Sequence, residues 1–128
     1  MQSQNRDLKV REAFQILTQG VEMIHYEVAK RNTKGKKIVW LDPDILRICV
    51  DTNRPSQSDR QKGKVPPGIY LRDIGEVRAG YNAYDFQHNN EPPESEELCL
   101  ALIGTERTVC LELPTKVSLL RNTATAYV

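Results

Sequence analysis

Apolar positions in this chain recur with two periods. Between Arg6 and Gln19 they follow a helix: Val10, Phe14 and Leu17 fall at i, i+4 and i+7, with Ala13 beside them. Gly20 comes directly after the last periodic residue and predicts the helix stop. From Val21 onward the period shortens and the runs become β-branched and aromatic. Strands are predicted at Val21–Ala29, Lys36–Asp42, Ile45–Val50, Ile69–Leu71, Glu76–Ala79, Leu98–Ile103 and Arg107–Leu113. The first three form an antiparallel meander, turned by Asp42-Pro43-Asp44. The last two form a hairpin around Gly104-Thr105, read as a two-residue loop with Gly first, which sets Cys99 opposite Cys110. Pro114 ends the last strand, and Thr115 onward predicts a helix with Val117, Leu120 and Ala124 on one face.

The alternation also assigns faces. In the first strand Ile24, Tyr26 and Val28 are the more apolar set and are expected to face the core, leaving Met23, His25 and Glu27 outside. Trp40 is expected in the core. Two long connections, 51–68 and 80–97, interrupt the strands, and connections of that length are usually functional or mobile. The second interleaves Tyr81, Tyr84 and Phe86, of which one or two are expected to plug the flank of the core.

Charge changes the picture more by its placement than by its sum. The formal net charge is only +1, yet Lys30, Arg31, Lys34, Lys36 and Lys37 put five cations and no acid into 30–37. A turn between strands would hold them at one end of the sheet, where uncompensated charge attracts anions. Arg54, Arg60, Lys62 and Lys64 follow in the 51–68 connection. In a simple meander that connection leaves from the same sheet end, so the two basic loops are expected to form two walls of one site. Glu91, Glu94, Glu96 and Glu97 gather elsewhere, which makes the chain electrically lopsided.

Composition bounds the rest. At 128 residues, 39% hydrophobic and 27% charged, the chain suits one globular domain with one core. Cys49, Cys99 and Cys110 are odd in number, lack metal-ligand spacing and sit in apolar runs, so buried free thiols are expected, without metal or other cofactor. No stretch is apolar over the length of a membrane span. No signal peptide is visible, and a cytosolic compartment is the expectation. His25 and His88 have no nucleophile or carboxylate at a catalytic spacing, so no enzyme is expected. The modest net charge comes without a nucleic-acid recognition motif, so no nucleic acid is expected as partner.

Seven short strands followed by one helix is the order of a pleckstrin-homology domain. An amphipathic helix ending at Gly20, then Val21–Tyr26, then the basic loop, then Ile38-Val39-Trp40-Leu41, resembles the phospholipase-C-type branch of that family. So does Tyr70-Leu71-Arg72-Asp73-Ile74-Gly75-Glu76-Val77-Arg78-Ala79-Gly80, where that branch carries an Ile-x-x-Val-Arg-x-Gly stretch. The hairpin from Leu98 to Leu113 is similar to its last hairpin, and together these segments cover nearly the whole chain. The resemblance implies a mainly β fold: a seven-stranded β-sandwich or partial barrel capped by a C-terminal helix. It spans 1–128 as a single domain, with a flanking helix at 6–19, a β core at 20–114 and the closing helix at 115–128.

The resemblance also implies a function. Many members bind anionic phospholipid headgroups at the open end through the first hairpin loop, as non-catalytic modules that bring a protein to a membrane surface. Lys37 matches the basic position just before the second strand's apolar core, whereas His25 and Glu27 stand where phosphoinositide binders usually carry Lys. The expected headgroup-binding residues are Lys30, Arg31, Lys34, Lys36, Lys37, Arg54, Arg60, Lys62, Lys64 and His25. A lipid with one phosphomonoester needs fewer fixed contacts than a polyphosphorylated ring. The chain is similar, more narrowly, to the acylated pleckstrin-homology proteins of apicomplexan parasites, which bind phosphatidic acid and act in regulated secretion. It departs from them in beginning Met1-Gln2-Ser3, without a myristoylation signal, and from the wider family in lacking a Trp in 117–128. The expectation is a monomer at a cytosolic membrane face that favours phosphatidic acid. A phosphoinositide binder or a lipid-independent protein-interaction module, with a protein partner on the 91–97 acids and neighbouring aromatics, is the alternative.

Overall fold

The two apolar periods become one helix and one curled sheet. The computed structural model describes residues 2–28 and 33–113. Helix α1 (Gln2–Gln19) leads into β1 (Val21–Glu27), β2 (Thr33–Asp42), β3 (Arg47–Asp51), β4 (Gly68–Tyr70), β5 (Ile74–Ala79), β6 (Cys99–Gly104) and β7 (Thr108–Glu112). Two short helices lie within the long connections, α2 (Gln57–Gln61) and α3 (Tyr84–Gln87). All pairings are antiparallel, in the order β4-β3-β2-β1-β7-β6-β5, and the sheet is not closed. The expected helix at 115–128, and the loop cations Lys30 and Arg31, lie outside the described residues.

The sheet curls because one face has a single place to hide. Met23, Val39, Leu41, Ile48 and Ile69 from one half meet Leu102, Val109 and Leu111 from the other in one buried cluster. Gly104 lets the curl tighten: a Cβ there would stand 2.7 Å from the Asp73 carbonyl oxygen in the β4–β5 connection. Gly20 ends α1 as expected, with φ of 100° and its N–H donating to the Ile16 carbonyl at 3.1 Å. Among the described side chains, α1 joins the core at its end, through Ile16 and Leu17, while Val10 and Phe14 stay exposed.

Three expectations change. The faces of β1 are reversed: Met23 joins the main core and His25 is buried on that same face, while Ile24 and Tyr26 look away from it. The reason is that both faces are covered. The 80–98 connection lays Ala83 and Phe86 over Tyr26, Cys99, Ala101 and Cys110 in a second cluster, so apolarity no longer tells inside from outside. Phe86 is the core plug that was expected, and its ring meets Tyr26 edge-on at 5.2 Å. Second, β2 begins at Thr33 rather than Lys36. Third, the β6–β7 hairpin turns through four residues, with Gly104 N–H donating to the Arg107 carbonyl at 2.8 Å. This moves the register by two: Ala101, not Cys99, lies opposite Cys110. An even shift leaves every side chain on its face, so the packing survives it. Trp40 is buried as expected, but on the outer face, beneath the end of α1 and Arg54.

Polar burial is sparse and paired. Tyr26, wholly buried, donates its hydroxyl to the Glu112 carboxylate at 2.6 Å. Burial first, and then this hydrogen bond, push the Tyr26 phenol well above its ordinary range. All three cysteines are free and buried, and burial pushes Cys99 and Cys110 up to about 12. Replacing Tyr26 with Phe keeps the apolar contact but removes the hydroxyl that serves the buried Glu112 carboxylate. We expect a loss of about 1–3 kcal/mol in urea unfolding, and an unchanged midpoint would show the bond to be dispensable.

Candidate functional site

The start of β2 carries three cations in four positions. Because β2 extends to Thr33, Lys34, Lys36 and Lys37 sit on strand rather than in loop, and β1 holds them in register: Lys34 beside Tyr26, Lys36 beside Ile24, Lys37 beside Met23. Lys34 and Lys36 therefore share the outer face, about 6.6 Å apart along the strand, and Lys37 lies on the other face. β3 departs from the sheet at Asp51, opposite Ile38, so this end of β2 projects past its neighbour on that side.

Each lysine is already engaged. Lys34 Nζ is 3.7 Å from Glu91 Oε2 and 5.6 Å from the Tyr26 ring centre. Lys36 Nζ is 3.7 Å from Glu22 Oε1, and Lys37 Nζ donates to Thr52 Oγ1 at 3.1 Å. These are exposed or half-exposed contacts, each worth about 0–1 kcal/mol, so an incoming anion can replace them. His25 is buried, with Nδ1 3.8 Å from Glu27 Oε2, and so is set back from the surface that Lys34 and Lys36 present.

The second basic wall is not there. The 51–68 connection leaves the sheet where meander parity puts it, then folds back over the outer face of β2. Arg54 sets its guanidinium 5.3 Å from the Trp40 ring and donates to the Thr18 and Gln19 carbonyls at 3.2 and 3.0 Å. Those carbonyls end α1, where the helix dipole favours a cation and no further turn satisfies the oxygens. The following α2 carries Arg60 to 3.5 Å from Asp44, in the β2–β3 turn. Asp42 lies eight residue steps along the strand from Lys34, roughly 26 Å. Lys64 pairs with Asp59 at 3.6 Å, and exposed Lys62 follows α2. Parity says where a connection starts; the attraction of Trp40 and the α1 carbonyls decides where it goes.

One acid of the group expected to lie apart, Glu91, comes to the basic strand. Phe86 anchors the 80–98 connection against Tyr26, and this delivers Asp85 and Glu91 to the base of the first hairpin. The Asp85 carboxylate accepts the Val28 N–H; burial, helped by the Glu27 charge, nevertheless raises its pKa. The acids 94–97 line a separate shallow surface. Glu22 and Thr52 were not singled out from the sequence, and Glu91 was named only within an acidic group expected to lie apart from the basic loop. For Glu91 a signal existed, since an acidic run in a chain with a basic hairpin is a natural complement to it. Among the described residues, no group of three or more His, Cys, Asp or Glu could hold a metal ion. No known protein family's sequence profile matches the chain, and no curated protein matches it.

Two predictions follow from these placements. Arg54→Ala should cost about 1 kcal/mol of stability in urea unfolding, and a variant as stable as wild type would show that the helix-end contact carries nothing. For Asp85, the folded pKa lies above the unfolded one, near 3.8, so the folded state holds the extra proton between them. Stability therefore falls as pH rises through that window and stays lower above it. Asp85→Asn should raise Tm at pH 7, with the gain over wild type vanishing below pH 3.8. A gain independent of pH would place its cause elsewhere.

Proposed function

We propose that this chain is a non-catalytic, pleckstrin-homology-like module that binds anionic phospholipid headgroups through the start of β2 and so associates with a membrane surface from the cytosolic side. The observation that carries the reading is the set Lys34, Lys36 and Lys37, held by strand register at one projecting edge. The seven-stranded antiparallel order with its consecutive edge strands β4 and β5, curled around a single core, supports the family resemblance. The Ile74-to-Gly80 stretch supports it as well: it forms β5, with Arg78 paired to Glu76 at 2.8 Å and Gly80 at φ of 94° directly after. Among the described residues, no helix is long and apolar enough to cross a membrane, so association would be peripheral.

Headgroup preference follows from what the site lacks. A polyphosphorylated ring needs several fixed cations in a pocket, and His25 is buried and tied to Glu27 where such a ring would need one. A single phosphomonoester can be held by neighbouring ammonium groups as point charges, so phosphatidic acid is the favoured ligand. Each engaged cation contributes about 1 kcal/mol at an anionic surface, and releasing Glu22 and Glu91 subtracts part of that. Stable recruitment then needs a second signal, such as an acyl chain. The narrower resemblance would place such recruitment in regulated secretion.

The test is co-sedimentation with vesicles of neutral lipid, phosphatidylserine, phosphatidic acid and phosphoinositide at matched negative charge. Phosphatidic acid should pull down the most protein. A triple Lys34→Ala, Lys36→Ala, Lys37→Ala variant should lose the binding while keeping its Tm. Binding that survives the triple change would remove this site from the reading.

A further inference from the structure

At the far end of β2 the surface is built differently. The β2–β3 turn closes on Leu46, which has φ of 51° and stands 54% exposed. A branched apolar residue in the left-handed region is costly, and Asn or Gly would serve the turn better. Strain and exposure at one residue point to a use beyond folding. Leu71, 38% exposed, donates its backbone N–H to the Leu46 carbonyl at 2.9 Å, which sets the two exposed leucines side by side along the chain ends they join. Beside them the Tyr70 ring lies between two guanidinium groups, Arg47 at 4.5 Å and Arg72 at 4.7 Å from its centre. Among the described residues neither arginine pairs with a carboxylate, and Arg47 donates its Nε to the Pro66 carbonyl at 3.1 Å. Asp73 and Glu106 lie on the rim of the adjoining pocket, of about 370 Å³, between Arg47 and the β6–β7 turn, without pairing to either arginine.

We propose that this surface docks a segment of a partner protein in which a large apolar side chain adjoins an Asp or Glu carboxylate. The apolar side chain covers Leu46 and Leu71; the carboxylate takes the donors of Arg72, for which guanidinium is the matched fork. Tyr and Arg are the residues that concentrate binding energy at protein interfaces, and here Tyr70 fixes both arginines in place before any partner arrives. A bilayer is the lesser fit. The backbone of Arg47 lies opposite that of Asp42 in the strand register, roughly 26 Å along β2 from Lys34, so a membrane held at the lysines leaves this surface away from it.

The experiment is a titration of the full chain, followed by ¹H–¹⁵N spectra, with short synthetic helical peptides. One carries adjacent Leu and Glu on one face, a second has Gln for Glu, and a third has Ser for Leu; neutral phosphatidylcholine vesicles are a fourth arm. The Leu/Glu peptide should shift resonances of 45–47 and 70–72 and bind roughly fivefold or more tighter than either relative. Leu46→Asn, which suits the left-handed backbone, should keep or raise Tm yet weaken the Leu/Glu peptide by a similar factor, and so should Arg72→Gln. The proposal is overturned if the Gln peptide binds equally, if Leu46→Asn binds as wild type does, or if the shifts fall on Lys34–Lys37. Neutral vesicles that perturb 45–47 and 70–72 in place of the peptide would also overturn it, making the surface a bilayer contact. Anionic-vesicle binding by the lysine variants reads the other end of β2 separately, so either result can stand without the other.

Discussion

The structure depends on β1 being buried on both faces. β1 is the strand that joins the two halves of the sheet, pairing with β2 on one side and β7 on the other. Its inner face, with Val21 and Met23, is served by the curl. Its outer face, with Tyr26, has no second sheet to meet and must be covered by something else. The 80–98 connection does this with Phe86 and Ala83, and Tyr26 keeps its one polar atom satisfied through Glu112. The covering segment cannot be placed freely. Once Phe86 is seated on Tyr26, the residues on either side of it fall at the base of the first hairpin, which is how Asp85 reaches Val28 and Glu91 reaches Lys34. A packing requirement in the core thus sets the electrostatics of the candidate site.

Much of the fold was legible, for identifiable reasons. Strand positions followed from period-two runs bounded by turn residues, and Gly20 marked the helix end because the backbone there needs a positive φ. The faces of β1 were not legible, since Ile24 and Tyr26 are as apolar as Met23 and only the later 80–98 segment decides which side is inside. The hairpin register was missed by two residues because Gly104 serves the close approach of the Asp73 carbonyl rather than a two-residue turn. For the site, local cations were legible and distant ones were not. Lys34, Lys36 and Lys37 stay together because one strand carries them. Arg54, Arg60 and Lys64 depend on the path of an eighteen-residue connection (51–68), and that path answers to Trp40 and to the carbonyl end of α1.

Placing the lysines on a strand rather than in a loop changes what they can do. In a loop they could gather around a multivalent anion; on β2 their spacing is fixed and alternates in face. Such a row meets a planar array of charges more readily than it encloses a ring. Glu22 and Glu91 hold Lys36 and Lys34 in surface pairs of small net worth. Under the proposed lipid reading, those pairs would oppose binding at a weakly charged membrane and yield at a strongly charged one. Binding would then depend on surface charge density more steeply than for three independent lysines, since anions must displace carboxylates as well as water. Ionic strength acts on both sides of that exchange and partly cancels.

The two ends of β2 also differ in the chemistry they offer. At the Lys34 end, charge is carried by flexible ammonium groups, two of them in contact with acids. At the Leu46 end, charge is carried by guanidinium groups braced on an aromatic ring, with exposed leucines beside them. Diffuse, replaceable cations suit a fluid surface whose anions move laterally, because no single geometry has to be met. Rigid forks beside apolar area suit a ligand of defined shape, because the entropy of ordering them has already been spent on folding. A module proposed to bring something to a membrane requires both kinds of surface, and it requires them apart. β2 sets the proposed lipid-facing edge and the proposed partner-facing edge apart by its own length, roughly 26 Å, so that the two need not compete for the same side.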